Sequence, residues 1–384
     1  MKAGPLRVLA AFCMLVAAIG ALALMIGNVS VGKRDFISYW AAGQQLIHGA
    51  NPYDGAATYA LELGPGHDLS APIILRNPPV ALFLALPLGF VGRHTGFAFW
   101  LIALLASLVA SIRMIWALHG RPENGLHLFG YYFPPALACL MAGQLGIFML
   151  FGVVLFLFFH KSRPFLAGAA LLLCAVKPHL FLPCGIVLIV WVVFRKAYRI
   201  LAGFCVALSA ACALVFCFDQ HAWSQYSQMA SAPGLMYEVA PITLSKLFRL
   251  LVDWRAVWLQ FLPQAGACAW ALWYSWTRRA RWDWMDQGML VLLVSALCAP
   301  YAWFTDEAVL LPAVLAGIYR ADAAQRSLLP FGLIAGVAFA EAFAALPITS
   351  WYYLWTVPAW IAWYLYATGK RPTLHAGLPA NRPR

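Results

Sequence analysis

Hydrophobic residues run along this chain in long blocks separated by short polar turns, and the blocks recur from one end to the other. A helix needs about 20 mostly apolar residues to span the hydrocarbon core of a bilayer, so such blocks read as membrane helices. They fall at about 8–29, 79–91, 95–117, 143–159, 165–176, 179–194, 200–217, 256–276, 285–299, 307–319, 328–346 and 351–367. The pattern therefore predicts an all-α polytopic membrane protein of about twelve crossings, one integral membrane domain over 1–369, with both termini on the cytoplasmic side. The block at 8–29 exceeds the roughly 7–15 residues of a signal-peptide core and lacks a convincing cleavage site, so it reads as the first crossing. Several blocks are shorter than a straight span requires and end at proline, as at Pro78/Pro79, Pro178 and Pro300. Irregular backbone at membrane depth is tolerated around a wet cavity, so these ends predict one that opens outward. Residues 126–142 are expected to lie along the outer surface or to re-enter, because one more crossing would break the parity.

Composition agrees with this reading: of 384 residues 63% are hydrophobic and 10% charged. The excess of 26 Lys+Arg over 14 Asp+Glu, net +12, would point to nucleic acid in a soluble protein. Here the basic residues cluster beside apolar blocks, as the positive-inside rule produces, and groove-reading or base-stacking motifs are absent. No nucleic-acid partner is expected. Lys2/Arg7, Arg93, Lys161/Arg163, Arg195/Lys196/Arg199, Arg278/Arg279/Arg281, Arg320/Arg326 and the tail basics are taken as cytoplasmic anchors. Arg113, Arg121, Lys246, Arg249 and Arg255 then fall outside, against the rule. Nine cysteines lie in or beside apolar blocks with no C-x-x-C pair, which reads as small buried side chains. The tail "KRPTLHAGLPANRPR" at 370–384 reads as a disordered cytoplasmic end.

The polar residues that interrupt the outward ends carry the chemistry. Asp35 opens a helical stretch, 36–47, with Tyr39 and Trp40 on it, which stops at Gly49 and the turn "NPYD" containing Asn51 and Tyr53. Taken locally, Asp35 is an N-cap and the aromatics an interfacial belt. Arg76 stands in "RNPP", where a snorkelling arginine is the plain alternative. Gln144 stands in "MAGQLG" and can serve as an interhelical hydrogen bond. Lys177 and His179 sit in "AVKPH" between two apolar half-hairpins, and "APITLSKLFRL" adds Lys246 and Arg249 on the same side. Asp306 and Glu307 begin a later crossing, where a helix-dipole role is the simple one.

One outward cavity holding a carboxylate and several cations suits transfer of a group from a phosphate to a hydroxyl. The carboxylate takes the hydroxyl proton, and Lys or Arg offsets the charge growing on the departing phosphate. No P-loop, no G-x-G-x-x-G after a strand, no cytoplasmic domain able to bind a nucleotide sugar and no His/Cys cluster with metal spacing is present. The activated group is thus expected on a lipid carrier, with no metal or cofactor. A transporter or lipid flippase is the competing class, and it calls for internal symmetry and charges near mid-span. A membrane subunit without chemistry is the third.

The ordered motifs "DFISYWAAGQQLIHGANPYD", "NPPVALFLALPL", "GQLGIFML", "AVKPHLFLP", "APITLSKLFRLL" and "APYAWFTDEAVLLPA" resemble glycosyltransferase family 87, once catalogued as domain of unknown function 2029, from about residue 34 to 312. The resemblance implies a glycosyltransferase C type fold with a helical first extracytoplasmic loop. It implies transfer of a sugar, mannose in characterised members, from polyprenyl phosphate to a glycolipid or glycan acceptor outside a bacterial inner membrane. It makes Asp35 the catalytic base and matches the family's Lys-Pro motif at Lys177 and Pro178 and its outer aspartate at Asp306. Lys177, Arg249, Arg76, His179, Gln144, Tyr39, Asn51, Tyr53, Asp306 and Glu307 are the expected substrate-binding set. The chain departs from the family at Asn77, where tyrosine is frequent, and at Gly146, where asparagine is.

Overall fold

The computed structural model describes residues 35–63, 72–232, 243–343 and 351–369, and all regular structure among them is helical. The expected crossing at 8–29 and the tail at 370–384 lie outside the described residues. Helix α1 (Phe36–Ile47) buries Phe36, Ile37 and Leu46 and stops at Gly49, whose φ of +67° suits glycine. Helix α2 (Gly55–Glu62) starts at Asp54, whose carboxylate caps the Ala56 and Ala57 N–H groups at 2.8 and 3.0 Å.

The chain then departs from the sequence expectation. Residues 79–90 form a broken 3₁₀/α stretch interrupted by Pro87. The Gln44 amide donates to the Gly89 carbonyl at 2.7 Å and the Trp40 indole to Val91 at 2.9 Å, so this stretch lies along α1. Twelve helical residues rise only about 18 Å, short of the ~30 Å core, so the block has no need to span. It delivers Arg93 to the Asp35 end of the bundle, not to the opposite end where it was expected.

Helix α3 (Arg93–Leu118) leaves from there. Near its start Trp100 donates to the Gly143 carbonyl at 2.7 Å; beyond its end His119 stacks on Tyr319 at 4.4 Å. The return path is 126–142, a 3₁₀ segment followed by α4 (Pro134–Ala142). Asn124, just before it, donates to Asp322 at the far end at 3.1 Å, and Gly143 closes it at the near end. The segment expected on the surface therefore runs the length of the bundle.

The rest alternates between the two ends in α5 (Gly146–Phe159), α6 (Pro164–Ala170), α7 (Leu182–Arg195) and α8 (Tyr198–Phe218), then α9 (Leu244–Val252), α10 (Leu262–Arg278), α11 (Gln287–Leu297), α12 (Leu311–Ala323), α13 (Leu329–Phe343) and α14 (Thr356–Thr368). At the far end Lys161 meets Asp283 at 4.0 Å, Arg195 donates to Ala280 at 3.0 Å and Arg320 pairs with Asp286 at 2.9 Å. Among the described residues, only α3 and α8 are long and apolar enough to cross a bilayer by length and composition alone. The exterior is apolar nonetheless: Phe99, Ile102, Val206, Phe216 and Trp273 are all more than half exposed. Helix α9 is inverted, with Ser245, Lys246 and Arg249 buried and Leu251 76% exposed, as expected of a helix lying against hydrocarbon.

Candidate active site

Asp35 stands at the start of α1 but does not cap it. Its backbone is already helical, at φ −57° and ψ −24°, and only its main-chain carbonyl accepts from Ser38. The carboxylate instead accepts from the side-chain amide of Gln144, whose carbonyl oxygen accepts from the Tyr39 hydroxyl at 2.9 Å. These two bonds fix which end of the amide faces the acid. The turn that brings Gln144 there depends on Gly143. Its φ is +70°, and a Cβ would lie 2.7 Å from the Phe36 Cβ. Tyr39 in turn stacks on Trp100 at 5.3 Å.

Lys177 sits 129 residues from its partner Asp306, and its ammonium reaches both carboxylate oxygens at 2.7 and 3.0 Å. Both side chains are buried, and Asp306 also accepts from the Trp303 N–H at 2.9 Å. The Lys177 loop is tied down from the other side. Asn77 donates to the Val176 carbonyl at 2.9 Å, and the Tyr53 hydroxyl donates to the Asn77 carbonyl at 3.0 Å. Asn51 accepts from the Tyr53 N–H at 2.9 Å, so Asn51 and Tyr53 act here as the brace of the loop.

Asp35, Lys177, Asp306 and Arg76 share one electrostatic neighbourhood. Burial raises the Asp35 pKa above its ordinary value; the Gln144 hydrogen bond, Lys177 and Arg76 oppose that shift, and Asp306 adds to it. Arg76 is exposed, on the rim of this cluster. His179 is packed edge-on to Tyr301 at 5.8 Å, and its carbonyl accepts from Gln264. Lys246 lies over the opposite partner of that contact, 5.2 Å from the Tyr301 ring centre.

Two expected residues are engaged elsewhere. Arg249 is buried, and its guanidinium donates to the Trp254 carbonyl at 2.7 Å and to Gln260 at 3.0 Å. Glu307 points away from Asp306 toward α14, accepting from the Thr356 hydroxyl. Sequence reasoning did not select Asn77, Tyr301, Trp303 or Gln264. Asn77 carried a signal, as a buried amide between an arginine and two prolines; the others meet the cluster through backbone groups or ring faces that no local pattern announces.

An all-helical bundle with an apolar exterior and a buried acid–amide–lysine cluster at one end defines a membrane protein whose polar work is done where its helices terminate. Residues 76–300, more than half of the chain, match the model of Glycosyltransferase family 87, and the chain belongs to that family. It is accordingly a membrane glycosyltransferase. No match is found among curated proteins or among solved structures. The matched region holds Arg76, Gln144, Lys177, His179 and Arg249. Asp35, Tyr39, Asn51, Tyr53, Asp306 and Glu307 lie outside it; contacts with Gln144, Asn77 and Lys177 join Asp35, Tyr39, Tyr53 and Asp306 to it directly.

Proposed function

We propose that this enzyme transfers a sugar, mannose by family resemblance, from a polyprenyl phosphate carrier to an acceptor hydroxyl on the extracytoplasmic side, with inversion. The observation that carries the reading is the Asp35 carboxylate. It is spared from capping, held by Gln144 inside a buried site, and close enough to Lys177 to feel its charge. A raised pKa makes a carboxylate a stronger base while leaving it ionised above that value. Asp35 takes the proton of the acceptor hydroxyl, and the acceptor oxygen forms a bond to the anomeric carbon. The bond from that carbon to the phosphate oxygen breaks from the opposite face, and the electron pair leaves with the carrier phosphate.

Lys177 offsets the charge on the departing phosphate, and Asp306 holds the buried ammonium in place. Arg76 on the rim and Arg249 add positive potential, Gln144 and Tyr39 hold the base, and Asp306 turns toward the sugar as the phosphate takes its place on Lys177. An apolar cavity that begins at Pro178, beside Lys177, gives the carrier's tail a place between helices.

Orientation follows from charge. Lys161, Arg163, Arg195, Lys196, Arg199, Arg278, Arg279 and Arg281 belong to the far end, which makes it cytoplasmic and the Asp35 end outward. With 126–142 replacing 79–91, the proposed number of crossings stays at twelve and both termini stay inside, in a bacterial inner membrane of glycosyltransferase C type topology.

The test is transfer from radiolabelled polyprenyl phosphate mannose to candidate glycolipids by membranes carrying the native chain or Asp35→Asn. Loss of a general base costs roughly 10²–10⁴-fold, and a drop of that size is expected. Equal rates would remove Asp35 as the base. Turnover of a nucleotide sugar without any carrier would remove the donor assignment.

A further inference from the structure

The apolar cavity beside Lys177 has a length, a wall with room to fill, and a floor. Its volume is about 330 Å³, and it lies between α5, α7, α8 and α11 with Pro178 at its outward rim. Along α7 it is lined by Leu182, Gly185, Leu188 and Ile189. At 1.5 Å per residue that face is about 10 Å long, and the Pro178–Phe181 turn brings the total to about 15 Å. Leu182 and Ile189 are about half exposed, so the cavity opens sideways to lipid.

Its far end is closed by Trp284. That ring is held edge-on by Phe156 at 5.0 Å, Trp191 at 5.9 Å and Trp282 at 5.6 Å, which makes a stiff aromatic floor. Glycine at 185 leaves the wall open: a Cβ there would meet nothing within 4 Å.

Resting on the carrier-lipid reading above, we propose that this slot selects the donor by the first isoprene units next to its phosphate, Gly185 giving them room and Trp284 turning the rest of the tail out into the bilayer. An isoprene unit adds four chain carbons, about 5 Å when extended, so the slot takes about three. The occupant is the carrier tail because the slot's rim is the residue after Lys177, the cation assigned to the carrier phosphate. An ordinary phospholipid chain has no reason to be counted from that point. Hydrocarbon surrounds the free tail as well as the bound one, so selectivity comes from packing and shape and not from burial alone.

The test uses prenyl monophosphates of five, ten, fifteen, twenty and fifty-five carbons, bound to the purified full chain in detergent and read by native mass spectrometry. Each Kd is divided by that of the variant, which cancels partition into the micelle. Gly185→Phe fills the wall, and the loss of affinity is expected to grow with length to about tenfold at fifteen carbons and then stay level, as a steric block of the first units requires. Trp284→Ala removes the floor, and the length at which affinity levels off should move from fifteen carbons to twenty or more, a gain that a misfolded protein cannot give. A Gly185→Phe loss equal at every length, or none at any length, overturns the proposal, the second result being that of an ordinary lipid in the slot. If these variants fail in that way while Lys177→Ala still abolishes binding at every length, the slot is wrong and the carrier reading stands. If the native chain binds none of the phosphates, both fall.

Discussion

Lys177 is proposed to bind the substrate phosphate yet is already paired with Asp306, and the two roles separate in a double-mutant cycle. Lys177→Met leaves the Asp306 carboxylate, 2% exposed, with the Trp303 N–H as its remaining hydrogen bond from this pair of contacts. Breaking a buried pair from one side costs about 3–5 kcal/mol, because a charge is stranded away from water. Asp306→Asn strands the ammonium in the same way and should cost about as much. In the double variant no charge is left behind, and replacing a buried pair by neutral groups of similar size is near neutral. The two single costs then sum almost entirely into the coupling, which should be about 6–10 kcal/mol between the two sites. At roughly 2 °C per kcal/mol for a chain of this size, each single variant melts about 6–10 °C lower and the double only a few degrees lower. Scans at one fixed rate in one detergent keep the comparison valid if unfolding is irreversible. Activity should not follow stability: all three variants are expected to lose about 10²-fold or more in kcat/KM for the prenyl phosphate donor. A double variant that recovers activity together with its melting temperature would show that Lys177 only holds the fold together.

Other outcomes follow from the same contacts. The acidic limb of kcat/KM should lie above the ordinary aspartate pKa of 3.8, because burial raises Asp35; Gln144→Leu removes the bond that opposes this and should move the limb to higher pH, read in a pH–rate profile. Gly146→Asn installs the residue frequent in the family, but here a Cβ would lie 2.3 Å from the Thr305 carbonyl, so a loss of about 1–3 kcal/mol or more is expected in a melt. Glu62 is buried, with both carboxylate oxygens on the Ile73 N–H at 3.1 and 3.0 Å, and burial pushes its pKa from 4.5 to about 7. The fold prefers the protonated acid, so this contribution is present below the ordinary glutamate pKa and is lost as pH rises to about 7 and beyond; Glu62→Gln should flatten the melting temperature over that window.

The cluster was legible in sequence because its members break apolar blocks. An aspartate, a glutamine or a lysine at the end of such a block is costly unless something pairs with it, so Asp35, Gln144, Lys177 and Asp306 stand out one by one. Which of them meet was not legible. Lys177 and Asp306 are 129 residues apart, and Asp35 and Gln144 are 109 apart, distances across which no local pattern carries information. The same limit explains Arg249: its type and side were readable, but the Trp254 carbonyl and Gln260 that engage it depend on how the chain turns after α9.

The crossings show how block length and charge must be weighed together. A block at 79–91 and one at 126–142 are both short and both apolar, and hydropathy alone does not rank them. Choosing the first put Arg113 and Arg121 on the outside, two violations of the charge rule that counted as oddities. In the fold, His127 and Tyr131 sit in the field of Arg113 near the far end of α3, and Arg121 follows it beyond Leu118. Moving the crossing to 126–142 places both arginines with the Lys161 and Arg195 clusters, and the parity is unchanged. The violations thus favour the threading proposed above. On that threading the cations left on the Asp35 side include Arg76, Arg93, Lys177, Lys246, Arg249 and Arg255, of which Lys177, Lys246 and Arg249 are buried. A cation kept out of water needs an anion to offset its cost. Asp306 meets that need for Lys177 in the resting fold, and on the proposed mechanism a carrier phosphate would meet it during transfer.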